Sequence, residues 1–80
     1  MSYEEFFEYV DAEPFHPFRI RMVSGRTFEV RHPENVRVSE RSIYVFLHSE
    51  QDERLVEKMV MLGTSLIESI EHIDSPVSQE

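Results

Sequence analysis

The chain has no cysteine, only two glycines among its 80 residues, and no long apolar run. Without cysteine a disulfide framework is excluded, thiolate metal sites are too, and nothing argues for an oxidising compartment. With two glycines there is little material for a catalytic cleft, and no nucleotide-binding motif rises above background. No apolar stretch approaches the roughly 20 residues that span a bilayer. The start, Met1-Ser2-Tyr3-Glu4-Glu5, is acidic and lacks the basic residues and apolar run of a secretory signal. A soluble cytoplasmic protein with no membrane partner is the expectation.

Net charge is −8, which favours solubility and opposes long-range attraction to nucleic acid or anionic membranes. The charge is unevenly placed. Residues 1–13 carry five acids and no base, residues 14–48 six arginines against three acids, and residues 49–80 eight acids against two bases. A chain this short buries only about 60–65% of the surface exposed on unfolding, so its core is thin. Domains of this size often lean on a metal, a disulfide or a second subunit, and self-association is the natural candidate here.

Apolar residues alternate from Phe18 to Leu47, breaking at Ser24-Gly25 and again at Ser39-Glu40-Arg41, which is the pattern of an antiparallel meander. Ahead of it, Ser2 and Glu5 form a capping-box pattern, and Phe6, Phe7 and Val10 give an apolar stripe; a short helix over Tyr3 to Ala12 is predicted. Pro14 and Pro17 hold the following connector extended, with Phe15 and Phe18 anchoring it to the core.

Turn parity fixes the first hairpin. A two-residue loop at Ser24-Gly25 would set Arg21 against Phe28 and bury the wrong face; a three-residue loop, Val23-Ser24-Gly25, sets Ile20 against Phe28 and Phe18 against Val30. Gly25 then takes the left-handed position, and Arg19 faces Glu29 on the outer side. After the interruption at His32-Pro33-Glu34, Val36 and Val38 face Val45 and Ile43. Tyr44, Phe46 and His48 occupy the reverse face of that strand, which implies cover by the helix or by another subunit. Residues 54–73 fit either one amphipathic helix or two strands joined at Gly63-Thr64-Ser65; strands are favoured because the meander needs its edges closed.

Pro14-Phe15-x-Pro17-Phe18, Gly25-Arg26, Val30-x-His32-Pro33-Glu34 and Leu66-Ile67-Glu68-Ser69-Ile70-Glu71 together resemble a group of short bacterial proteins of similar length to which no activity attaches. More distantly, a short helix, a bent meander and a last hairpin pivoting on Leu62-Gly63-Thr64 resemble the Sm-like small barrels, which form rings and bind single-stranded RNA. The resemblance implies a small open barrel. The Sm base-gripping loop is flanked by an aspartate and an asparagine, whereas this chain offers Pro33-Glu34-Asn35, and Met61 and Leu62 stand near where the second Sm motif carries arginine. Fold likeness does not transfer function.

Few residues point to chemistry. His16, His32, His48 and His72 lack the three-to-five-residue spacing of compact zinc sites, and His32 with Glu34 reads as a polar turn. Ser24, Ser39, Ser42 and Ser49 fall at turns, outside any nucleophile-elbow context. No catalytic residue, metal or cofactor is expected.

Arg19, Arg21, Arg31 and Arg37 are predicted to project from the outer face of the first strands, with Arg26 and Arg41 at hairpin tips. Such a strip can follow a phosphate backbone, or it can pair with the protein's own acids. The reading is therefore one α+β domain over residues 1–74, with a short helix packed on a strongly bent antiparallel sheet of about five strands, and a disordered tail over 75–80. Its expected role is non-catalytic: an interaction module that binds itself or another protein through Phe15, Tyr44 and Phe46. Single-stranded RNA or DNA binding along the arginines is the alternative.

Overall fold

The structure, a computed structural model, describes residues 1–73. The tail expected at 75–80, and the last residue of the expected domain, lie outside the described residues. Among the described residues one helix and six strands make an α+β fold of two three-stranded antiparallel sheets.

Helix α1 spans Tyr3–Val10 and opens with the capping box: the Ser2 hydroxyl accepts from the Glu5 N–H at 3.2 Å, and the Glu5 carboxylate accepts from the Ser2 N–H at 2.9 Å. The helix stops two residues before the expected Ala12. Asp11 closes it with φ −93° and ψ 5°, its N–H bonded to the Phe7 carbonyl at 2.8 Å, because the chain must become extended ahead of Pro14. Its core-facing side also differs from expectation. Phe6 is fully buried with Tyr9 and Val10 beside it, while Phe7 is 39% exposed and meets only the edge of Tyr3 among the rings.

Strands β1 (Phe18–Met22) and β2 (Thr27–Val30) pair in the expected register, Phe18 to Val30 and Ile20 to Phe28. The Met22 N–H donates to Arg26 and the Gly25 N–H to Met22, each at 2.9 Å, closing a three-residue loop in which Gly25 has φ 95°. Pro33–Asn35 forms a single 3-10 turn, so the chain breaks into β3 (Val36–Val38), which pairs with β4 (Ser42–His48), Val36 to Val45 and Val38 to Ile43. The break falls at Pro33, which has no N–H to donate, as expected, and the described residues form six strands in two sheets rather than one bent sheet of about five.

Residues 56–72 are strands, not a helix: β5 (Val56–Gly63) and β6 (Ile67–His72). They do not form the expected hairpin. β5 pairs with β4, and β6 crosses to β1, giving sheet orders β2-β1-β6 and β3-β4-β5. The 3-10 turn Thr64–Leu66 redirects the chain between the sheets. Thr64 is held at both its N–H and its hydroxyl by the Arg41 carbonyl, at 3.0 and 3.2 Å, and the Val23 N–H donates to the Leu66 carbonyl at 2.9 Å. These long-range bonds sit where the chain passes from β5 in one sheet to β6 in the other.

The inner faces of both sheets share one apolar core, in which Phe18, Ile20, Val30, Ile43 and Val45 are fully buried. Phe18 is its aromatic centre, with the rings of Phe6, Tyr9 and Phe15 at 5.6, 5.5 and 5.9 Å. Burial of this set is the main favourable term in the fold. No helix among the described residues is long and apolar enough to cross a membrane.

Candidate interaction surface

Strand alternation puts Ile43 and Val45 into the core, so Tyr44 and Phe46 must take the opposite face of β4. Both are half-buried there. Their register partners complete the face: Tyr44 stands between Arg37 on β3 and Met61 on β5, and Phe46 opposes Met59. Met59 and Met61 are 54% and 63% exposed, and Leu55, just ahead of β5, and Val56, its first residue, are exposed as well. One sheet face thus carries aromatic rings and flexible thioethers side by side, with Arg37 on one flank.

Phe15 does not join that face. It is half-buried, packs on the Phe18 ring and belongs to the cluster under α1. The methionines are missed by the sequence pattern, because Met59 fits the apolar stripe of residues 54–73 and Met61 falls outside it. Their orientation follows once Phe46 is matched to Met59, since directly opposed residues share a face.

The arginines divide between the two sheets. Arg19 and Arg21 lie on the outer face of β1, and Arg37 lies in the second sheet, where its guanidinium donates to the Val36 carbonyl at 3.2 Å. Glu29 on β2 takes Arg19 at 3.0 Å and Arg31 at 2.8 Å through its two carboxylate oxygens. Those two hydrogen bonds, Arg19 first, hold the Glu29 carboxyl below the usual carboxylate range. On the other side of Arg19 the register places Glu71 of β6. Two acids therefore interleave the basic side chains of the first sheet, and both come from neighbouring strands rather than from the helix. Arg26 lies over the Phe28 ring, 4.9 Å from its centroid.

An open cleft of about 960 Å³ runs beside the 3-10 turn, lined by Arg31, His32, Glu34, Phe46, His48 and Arg54 among others. His48 Nε2 lies 2.8 Å from Asn35 Oδ1, and its buried Nδ1 has no partner among the described residues. Arg54 is bidentate on Asp52, at 3.1 and 3.0 Å. No group of three or more His, Asp or Glu side chains among the described residues is placed to hold a metal ion.

No protein family, curated protein or solved structure matches the chain.

Proposed function

We propose that this chain is a small non-catalytic interaction module, which binds a protein surface through the outer face of β4 and β5. The observation that carries the reading is the exposure of Met59 and Met61 beside the half-buried Tyr44 and Phe46 on one sheet face. Contiguous apolar surface of this kind is unusual on a free domain and marks sites of association. Aromatic rings supply rigid contact area, and methionines adapt their shape to a partner. The thin core of an 80-residue chain adds a reason for a partner to contribute stability.

The Sm-like likeness remains part of the proposal at the level of architecture. It is supported by the leading helix, by the passage of the chain from one sheet to the other through the 3-10 turn between β2 and β3, and by the return of β6 to β1 after a one-turn 3-10 helix. The arginines stay outside the reading, because Glu29 already holds two of them.

The test is a double substitution, Met59→Ser with Met61→Ser, in a tagged full-length chain. Both side chains project to solvent, so thermal stability is expected to change little while partner capture is lost. Capture that survives the double variant unchanged would place the contact elsewhere on the molecule.

A further inference from the structure

Among the described residues β5 is the outermost strand of its sheet, and the pairing pattern shows which of its main-chain groups are open. Arg41 accepts from Thr64, and Ser39 donates to Ser42, so Ile43, Val45 and Leu47 turn their N–H and C=O toward β5 while Ser42 and Tyr44 turn theirs toward β3. Val60 and Leu62 therefore spend their main-chain bonds on β4. Met59 and Met61 present theirs to the open edge. An edge of this kind is a template for another strand.

The other edges are guarded. β2 has four residues, including Glu29, and runs into Pro33; β3 has three; β6 carries Glu68 and Glu71. β5 is the longest strand at eight residues, and from Met59 to Gly63 it has no charge, no proline and no bulge. In a chain of net charge −8, this is the one strand edge among the described residues where a second copy meets no acidic side chain over five consecutive residues.

We propose that β5 pairs antiparallel with β5 of a second copy, about a two-fold axis at Val60, to join two three-stranded sheets into one. This rests on the interaction-module reading and names the partner. With the axis at Val60, Met59 lies opposite Met61 of the second copy and Met61 opposite its Met59. Each such pair exchanges both main-chain bonds, for about four in all. The methionine side chains then cover one another across the seam. An axis at Lys58 would bring two ammonium groups together on one face, whereas the axis at Val60 sets the two Lys58 Cα atoms about 13 Å apart along the strands.

The chain has no cysteine, so a single introduced one reports the contact without background. At the axis the two Val60 residues form a non-hydrogen-bonded pair with Cα atoms about 4.5 Å apart, inside the range a disulfide bridges. Val60→Cys is expected to give a covalent dimer under mild oxidation, and Lys58→Cys is expected to give little. Met59→Pro removes an N–H that points to the open edge, so it leaves the β4 ladder intact and is expected to turn a dimer in sedimentation into a monomer with unchanged circular dichroism.

A parent chain that sediments as a monomer at every concentration would overturn the inference, while capture of a different protein, abolished by Met59→Ser with Met61→Ser, would leave the module reading standing. Cross-linking through Lys58→Cys in preference to Val60→Cys, a dimer that survives Met59→Pro, or an assembly of more than two copies would each overturn the proposed pairing. If Met59→Pro fails to fold, the two cysteine variants decide the matter alone.

Discussion

Glu29 stands between two guanidinium groups, its Oε2 3.0 Å from Arg19 and its Oε1 2.8 Å from Arg31. Hydrogen bonding to the charged carboxylate lowers its pKa, with Arg19 the larger cause. A depressed folded-state value means the contribution to stability is fully present above the unfolded-state pKa and is lost as pH falls through the folded one. The wild-type chain is therefore expected to melt slightly above Glu29→Gln near neutral pH. The gap should close in acid, below the depressed pKa of Glu29, and a gap that persists unchanged there would assign the effect to something other than the carboxylate. All three groups are solvent-facing, so the difference is small.

The same two pairs set an expectation for nucleic acid. Releasing Arg19 and Arg31 from Glu29 leaves two cations on a face where Arg21 already has no ion pair among the described residues. Glu29→Gln should therefore bind a single-stranded oligonucleotide more tightly at low salt than the wild-type chain does, with the gain vanishing as salt rises. Fluorescence anisotropy across a salt series measures it. Equal binding by both chains would show that Glu29 does not screen the strip.

At the N-terminus, the reciprocal bonds between Ser2 and Glu5 satisfy two donors that the first helical turn would otherwise leave open. Ser2→Ala removes the hydroxyl that accepts from Glu5 and is expected to cost about 0.5–2 kcal/mol. Denaturant titration followed by circular dichroism reads it directly. No loss would mean that Phe6 alone holds the helix in place.

Phe6 and Phe7 are neighbours in sequence with opposite fates. Phe6 is fully buried and stacks edge-on to Phe18 at 5.6 Å, whereas Phe7 is exposed beside Tyr3. Phe6→Ala is expected to cost about 3–5 kcal/mol, close to the whole stability of a domain this small. Phe7→Ala should change stability by under about 1 kcal/mol. Comparable losses from the two would mean that the helix is rotated from the orientation described.

These contrasts mark where local reasoning reached and where it stopped. The first hairpin was legible because a single parity choice buries Ile20 and Phe28 together and matches the left-handed Gly25. The face of Tyr44 and Phe46 was legible for the same reason. Phe6 and Phe7 were not separable by spacing, since both lie within reach of Val10 at helical periods, and only the position of Phe18 decides between them. β5 was ambiguous because it has apolar side chains on both faces, Val60 and Leu62 inward and Met59 and Met61 outward, which imitates a helical stripe. The division into two sheets depends on Thr64 meeting the Arg41 carbonyl across 23 positions of chain. No local pattern encodes that contact.

The two glycines make the last test, because they look alike in sequence and differ in backbone. Gly25 has φ 95°, and a Cβ there would meet nothing within 4 Å, so the cost of Gly25→Ala comes from the left-handed backbone alone, about 1–2 kcal/mol. Gly63 has φ −73°, and its added Cβ would sit 3.7 Å from the Leu66 side chain, an ordinary contact. Gly63→Ala also narrows the unfolded ensemble, so it should be neutral or stabilising by up to about 1 kcal/mol. Melting temperatures of the two variants should therefore move in opposite directions or differ clearly in size. A destabilised Gly63→Ala with an unaffected Gly25→Ala would contradict both the three-residue hairpin loop and the geometry of the turn between β5 and β6.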